Sequence, residues 1–130
     1  MKHYGFPKAY KLRSKKEIET LFAQGNTYFA SPLKIVWQIH HKFNETSPIK
    51  IAISVSKKRF KHAVTRNLIK RRIRESARMC FPDIENRLRK RNISCTCIVI
   101  YIDKNVQSYK TILTSISQAF YQIIPSRENM

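Results

Sequence analysis

The sequence predicts a single α/β (α+β) domain, a two-layer sandwich in which three helices pack on a small mixed sheet. Residues 49–56 alternate between apolar and polar or small side chains, and residues 94–102 form an apolar, β-branched run; both patterns are typical of strands. Residues 109–123 repeat apolar side chains at helical spacing. They predict a helix whose apolar face packs against a sheet. The predicted order is α-β-β-β-α-β-α, within one domain over 1–130.

The first helix is predicted just after Ser14. Ser14 and Glu17 have the spacing of a capping box, in which each residue satisfies a free backbone N–H of the first turn. Apolar Ile18, Leu21 and Phe22 follow at helical spacing, and Gly25 is a typical stop. The pattern predicts a short amphipathic helix of about three turns.

Two strands are located after this helix, and the predicted order includes a third. Residues 33–41 alternate loosely, and the turn residues of 44–48 separate them from the clearest alternation in the chain. That alternation predicts one face buried in the core and one small, open face. The apolar face consists of Ile49, Ile51, Ile53 and Val55, and the other face of Lys50, Ala52, Ser54 and Ser56.

The helix predicted over 63–80 is strongly basic. At 100° per residue, one narrow arc holds the predicted buried side, made of Ile69, Ile73, Ser76 and Cys80, with Ala77 beside it. Arg72 lies beyond that arc. Five of the six basic residues share an adjoining arc with Asn67: Arg66, Lys70, Arg71, Arg74 and Arg78.

A nucleic acid is the leading partner that the charge predicts. The chain has 26 Lys and Arg against 8 Asp and Glu, a net charge of +18, and ten basic residues with a single acid, Glu75, fall within 57–78. A solvated helix face normally mixes signs through i,i+4 pairs, whereas like charges at that spacing destabilise a helix. An anionic membrane surface is the alternative for charge alone, but no apolar run reaches bilayer length and no signal peptide is recognised, so a cytoplasmic location is expected.

Metal binding and catalysis by the protein are not expected. Cys80, Cys95 and Cys97 do not have zinc-ligand spacing, and their odd number predicts reduced thiols. The chain has only two glycines and therefore no Gly-rich phosphate loop. The eight acids are scattered, which argues against a nuclease acting alone. We therefore predict no catalytic residue and no metal ligand in the protein.

RNA suits this pattern better than DNA does. A helix-turn-helix protein places a second helix a few residues away, whereas strands flank the basic helix here. An open sheet face with nearby aromatic side chains suits unstacked RNA. The candidate stacking residues are Phe22, Trp37 and Tyr101, and core packing is an equal alternative for each.

The stretch IAISVSKKRFKHAVTRNLIKRRIRES, residues 51–76, resembles the signature of the bacterial ribonuclease P protein component. That signature is a strand, then S-x-S/A-K-K, then A-V-x-R-N-x-x-K-R-x-x-R-E. The resemblance begins at F-P-K-x-x-K-L, residues 6–12, and extends to the closing amphipathic helix. It implies a left-handed β-α-β crossover around the basic helix, an exception to the usual right-handed rule.

The resemblance also implies a function as an enzyme subunit. In this family the partner RNA removes the 5′ leader of precursor tRNA with Mg²⁺, which the RNA mainly binds. The implied partners are that catalytic RNA and the leader; no membrane or protein partner is expected. A structural RNA binder, such as a ribosomal protein, is the alternative, but it would not need the ordered R-N-x-x-K-R-x-x-R-E spacing.

Site residues follow from the matched motif. The expected RNA-facing residues of the basic helix include Arg66, Asn67, Lys70, Arg71 and Arg74, and the Lys57-Lys58 pair matches as well. The basic run adds Arg59 and the helical arc adds Arg78 to the predicted RNA-binding set. Phe22 matches an aromatic residue at the leader cleft, where the strand position is either Val36 or Trp37.

Three positions depart from the family pattern. Leu68 replaces a frequent third basic residue, Ile18 replaces a frequent Phe, and 101–103 lacks a frequent basic residue. The wheel places Leu68 outside the cationic arc, so the RNA-facing helix is expected to be retained. The leader contacts near Ile18 and 101–103 are not expected to follow the family pattern.

Overall fold

The computed structural model describes residues 10–41 and 47–124, which form three helices and four strands. Residues 6–9 of the family motif and residues 44–46 of the predicted turn lie outside this range. The observed order confirms the predicted one. The strand that the sequence did not locate is Asn26–Ala30, directly after the first helix. The elements are α1 (Lys15–Gln24), β1 (Asn26–Ala30), β2 (Leu33–His40), β3 (Ile49–Val55), α2 (Ala63–Arg91), β4 (Ser94–Tyr101) and α3 (Tyr109–Ile123).

The sheet is mixed, as predicted, with the spatial order β1-β2-β4-β3. β1 pairs with β2 and β2 pairs with β4, both antiparallel, whereas β3 and β4 are parallel neighbours. Parallel strands need a long crossover connection, and α2 is that connection. The handedness of this β-α-β unit stays a prediction.

Two apolar clusters lie on opposite faces of the sheet. α2 and α3 cover the larger one, which includes Leu33, Ile35 and Val99. α1 packs on the opposite face against a smaller cluster of Leu12, Leu21, Val36 and Ile98. Because successive strand residues point to opposite faces, Ile35 and Val36 belong to different clusters. The helical layer of the sandwich therefore comes from α2 and α3, and α1 covers part of the second face.

α1 begins and ends where the sequence predicts. The Ser14 side chain accepts a hydrogen bond from the Glu17 backbone N–H at 3.2 Å, and Leu21 is buried against the sheet. Gly25 ends the helix in an extended conformation, with φ −74°, so its role does not depend on a left-handed backbone. A Cβ at Gly25 would lie 2.6 Å from the Leu21 carbonyl and 2.8 Å from Val36 Cγ1. The chain therefore needs glycine here because α1 and β2 approach closely.

α2 is longer than predicted. It begins at Ala63, but it continues past Pro82 to Arg91, eleven residues beyond the predicted end at 80. A proline inside a helix removes one hydrogen bond and costs about 3 kcal/mol. Beyond residue 80, Phe81, Ile84 and Leu88 are fully buried, and burying each contributes roughly 1.5–3 kcal/mol. The burial offsets the proline, and the helix continues.

The end of α2 is a Schellman motif. Asn92 has a left-handed backbone, with φ 56° and ψ 44°. Its N–H bonds the Arg89 carbonyl and the Ile93 N–H bonds the Leu88 carbonyl, both at 3.1 Å. These bonds satisfy carbonyls that the helix end leaves free, and asparagine tolerates this conformation better than most residues.

α3 closes the core with the predicted stripe. Ile112, Ile116, Ala119 and Phe120 are fully buried, and the Phe120 ring meets that of Phe81 edge-on, with ring centroids 5.3 Å apart. Among the described helices, none has the length and apolar character required to cross a lipid bilayer.

Candidate nucleic-acid interface

A tight turn after β3 exposes the lysine pair. Ser56 Oγ accepts hydrogen bonds from the N–H groups of Lys58 at 3.1 Å and Arg59 at 3.4 Å. Phe60 anchors the far end of the turn, because it is buried and its ring contacts Tyr101 at a centroid distance of 5.8 Å. Both ends of the turn are therefore fixed, and the lysines between them, Lys57 and Lys58, are exposed.

Two arginines of the predicted RNA-binding set hold this turn in place. Arg59 donates to the Ile102 carbonyl at the end of β4. Arg66 Nη1 donates to the carbonyls of Phe60 at 2.7 Å and Lys61 at 3.0 Å. Arg59 and Arg66 thus have a structural role that the sequence did not reveal. An arginine has five N–H donors, so these bonds leave capacity for phosphate.

Asp103 lies beside this arrangement and keeps its negative charge. Hydrogen bonds from the Asn105 backbone N–H and then from the Gln107 side chain lower the pKa of Asp103, and the charge of Arg59 lowers it slightly further. The departure from the family pattern at 101–103 therefore places a carboxylate, rather than a base, at this end of the sheet.

A cationic groove runs between α2 and the segment that precedes α1. It has a volume of about 340 Å³, and its floor is formed by 51–53 of β3. Lys70 and Arg74 line one side, and Lys11 and Arg13 line the other. Within the described part of the chain, none of these four cations has a carboxylate at ion-pair distance.

Lys11 and Arg13 are site residues that were not predicted from the sequence. Their position depends on contacts distant in sequence: the Leu12 N–H bonds the Ile51 carbonyl at 2.8 Å, and the Tyr10 hydroxyl bonds Glu85 of α2. The available signal was Leu12, an apolar residue between two cations, which is typical of an extended segment with one buried side.

The remaining residues of the cationic arc are placed much as predicted. Asn67 and Arg71 are exposed, and Arg78 is half-buried. Arg72 lies on the other side of α2, where its Nη1 donates to the Gln107 carbonyl at 2.6 Å. The predicted buried side is confirmed, since the five residues of that arc are all buried: Ile69, Ile73, Ser76, Ala77 and Cys80.

The two halves of α2 differ in charge balance. In the second half, Asp83 pairs with Arg87 and Glu85 with Arg89, each at 3.6 Å and i,i+4 spacing. That is the mixed-sign pattern of a solvated face. The first half has no such described pair for Lys70, Arg71 or Arg74, so no described carboxylate balances the charge of these three residues.

The predicted leader-cleft residues lie on two different faces of the sheet. Phe22 is 61% exposed on α1. Val36 is on the same side of the sheet but is buried beneath α1. Trp37 packs against the larger cluster on the opposite face, because adjacent strand residues point to opposite faces. Of the two alternatives, Val36 shares the face of Phe22 and Trp37 does not, and the cleft itself stays a prediction.

Tyr101 is a core residue. It is 2% exposed, and its hydroxyl donates to the Asn105 carbonyl at 2.6 Å and accepts from the Gln107 N–H at 2.9 Å. Burial is also the main cause of its raised pKa. Of the three candidate stacking residues, only Phe22 presents an exposed ring.

Within residues 10–41 and 47–124, no three His, Cys, Asp or Glu side chains are grouped so that they could hold a metal ion. Cys80, Cys95 and Cys97 are buried free thiols. A smaller groove of about 150 Å³ on the α1 side includes His40, whose Nε2 lies 3.0 Å from Thr96 Oγ1. The described site offers positively charged side chains, which can bind anions.

The fold and this surface define a class of protein: a small, basic α+β protein with a groove lined by four cations that have no described carboxylate partner, beside a partly open sheet. This arrangement is suited to polyanions. Residues 6–123 match the model of the family described as Ribonuclease P. The chain belongs to the ribonuclease P protein family.

Relatives and solved structures agree with this assignment. The ribonuclease P protein component of Porphyromonas gingivalis is 28% identical over 122 residues, covering 92% of this chain and 87% of the relative. That of a Picosynechococcus species is 38% identical over 81 residues, covering 62% and 66%. The RNase P protein from Thermotoga maritima shares the fold, with a TM-score of 0.67, 16% identity, and coverage of 86% and 96%. The Staphylococcus aureus protein does so with a TM-score of 0.62, 23% identity, and coverage of 91% and 97%.

Proposed function

We propose that this chain is the protein subunit of a ribonuclease P ribonucleoprotein, with a catalytic RNA as its partner and precursor tRNA as the substrate. The observation that carries the proposal is the cationic groove, where Lys70 and Arg74 of α2 face Lys11 and Arg13 without a described carboxylate partner. Four cations this close destabilise the free protein through repulsion, and bound phosphates would remove that cost.

The cationic half of α2 is the proposed contact with the catalytic RNA. Lys57 and Lys58 extend the same charge beyond β3, and Arg71 adds an exposed fork of donors. Phosphate contacts of this kind release counterions and position the RNA without reading its bases. The protein thereby lowers the repulsion between the catalytic RNA and its tRNA substrate.

The substrate contact is proposed on the sheet face beside α1. Phe22 offers an exposed ring there, and a base of the single-stranded 5′ leader can stack on such a ring with little dependence on its identity. The leader is the part of precursor tRNA that mature tRNA lacks, so contacts on this face favour the substrate over the product.

In this proposal the RNA subunit carries the catalysis and binds most of the Mg²⁺. The protein binds, orients and neutralises charge. Its site of action is the cytoplasm, where tRNA precursors are processed in bacteria.

The test is reconstitution. Purified protein is added to a bacterial ribonuclease P RNA at limiting Mg²⁺, and release of the 5′ leader is followed with protein-alone and RNA-alone controls. We expect cleavage that requires the RNA and is enhanced by the protein. Tight RNA binding without enhancement would instead support a structural RNA-binding protein.

A single substitution tests the leader contact. Phe22→Ala should weaken binding of precursor tRNA and leave mature tRNA unaffected, because the lost stacking partner belongs to the leader. Met79→Ala is the matched control, since Met79 is 66% exposed on α2 away from the sheet face. An equal loss for both tRNAs would indicate that Phe22 supports folding or general RNA affinity.

A further inference from the structure

A second exposed aromatic residue lies on the same sheet face, on the strand farthest from α2. Phe29 of β1 is 66% exposed, although aromatic side chains in a 130-residue domain are usually needed in the core. Its partner in the β1–β2 ladder is Lys34, and the Lys34 ammonium lies 5.7 Å from the centre of the Phe29 ring. This is a cation–π pair at the sheet edge.

The strand register places this pair at one end of a row that crosses the sheet. Lys34 is paired with Ile100 of β4, and Ile100 with Ser54 of β3. Directly paired residues share a face, and Lys34 is two residues from Val36, which packs under α1. The four residues of this row, here called the open row, are therefore on the α1 side of the sheet: Phe29, Lys34, Ile100 and Ser54.

α1 leaves the two ends of the open row accessible: Phe29 and Ser54 are exposed, whereas Lys34 and Ile100 are half-buried and Ile100 packs against the cluster under α1. α1 packs over the next row, which contains Val36 and Ile98. Helical spacing puts Phe22 on the flank of α1 opposite to Lys16 and Thr20, and those two residues line the small groove at the His40 end of the sheet. Phe22 consequently faces the end of the sheet that contains the open row.

The open row has an aromatic residue at its β1 edge, a cation beside it on β2, an apolar residue on β4 and a serine on β3. Beyond Ser54, the chain turns at Ser56 and exposes Lys57 and Lys58; at the other end Lys34 accompanies Phe29. Neighbouring strands are about 4.8 Å apart, so three intervals give the row a length of about 14 Å. A surface that combines cations with an exposed ring suits single-stranded RNA, whose bases stack on aromatic rings while its phosphates bind cations.

We propose that Phe29 and Lys34 form a second nucleotide-binding position for the single-stranded leader, at the β1 edge and farther from the cationic helix than Phe22. This inference rests on the proposed function. Phe29 stacks on a base and Lys34 contacts the adjoining phosphate. The leader runs from the Lys57–Lys58 turn across the open row, so only a leader long enough to cross the sheet reaches β1.

The test uses the reconstituted protein–RNA complex and precursor tRNAs whose leaders lengthen by one nucleotide at a time. Phe29→Ala should weaken binding about fivefold or more for long leaders, as expected for one lost base-stacking contact. It should have no effect on short leaders or on mature tRNA. Phe29→Trp should retain the affinity and Phe29→Leu should not, because stacking needs an aromatic ring. Lys34→Ala should reduce the salt dependence of long-leader binding by about 0.7 units of slope.

The controls separate this inference from the function on which it rests. If Phe22→Ala discriminates precursor from mature tRNA while Phe29→Ala behaves like Met79→Ala, the second position is refuted and the proposed function stands. If neither variant discriminates but the protein still enhances cleavage by the RNA, both leader contacts are refuted and the subunit function stands; if enhancement is also absent, the subunit function is refuted. Equal weakening of every tRNA by Phe29→Ala would refute the position, since it would indicate a folding defect. A Phe29-dependent dimer in sedimentation would refute it too, because the exposed edge of β1 would then pair with a second copy.

Discussion

Removing the two groove cations of α2 should change how RNA binding responds to salt. Each lysine or arginine that neutralises a phosphate contributes about 0.7 units to the slope of log affinity against log salt for single strands and about 0.9 for duplexes. Lys70→Ala combined with Arg74→Ala should therefore reduce the slope by about 1.4–1.8 units. Between about 50 and 200 mM salt, the parent protein should lose about 7- to 12-fold more affinity than this variant.

The assay is a salt titration of binding to the ribonuclease P RNA, with circular dichroism to verify folding. The matched control combines Lys104→Ala with Lys110→Ala, two exposed residues beyond α2. Both double variants lower the net charge from +18 by two, to +16. Identical slopes for the two variants would show that only total charge matters, and the groove would lose its role.

Three further predictions concern stability, measured by urea unfolding. Arg66→Ala should lower the free energy of unfolding by about 1–2 kcal/mol, because two backbone carbonyls lose a charged donor; exposed Arg71→Ala should change it by less than about 0.5 kcal/mol, and equal effects would refute the structural role. Gly25→Ala should cost about 1–3 kcal/mol through overpacking, since its Cβ would lie 2.6 Å from a backbone carbonyl; a neutral result would contradict the close approach. Burial and then the hydrogen bond to Glu85 raise the pKa of Tyr10 above its ordinary value of 10.0, so the folded state holds this proton more tightly and stability should fall as pH rises from 10 through the raised value. Tyr10→Phe should remove that part of the alkaline loss, and an unchanged pH profile would contradict it.

The buried side of α2 was predictable because helical spacing is local. Ile69, Ile73 and Cys80 share an arc whatever covers them, and the structure buries all three. The same spacing correctly set Arg72 apart from the other cations. The element order was predictable for a similar reason, since each strand and helix has its own period.

The end of α2 was not predictable in this way. Pro82 is a local signal against a helix, and it is overruled by the burial of Phe81, Ile84 and Leu88 against residues distant in the chain. The placement of Trp37 also depended on distant residues. A shift of one residue in strand register moves each side chain to the other face of the sheet. The packing of α1 over Val36 shows which face Val36 occupies, and therefore that Trp37 is on the opposite face.

The charge, the periodicity and the family motif can be read without a structure, because they are properties of composition and of neighbouring residues. The tertiary structure, in contrast, determines which cations meet. Lys11 and Lys70 line one groove because backbone hydrogen bonding holds the first segment beside β3. It also decided that Arg66 supports the turn that exposes the lysine pair, and that Phe29 and Lys34 lie in one row with Ile100. Contacts between residues far apart in the chain depend on how the sheet is ordered, and no local pattern contains that order.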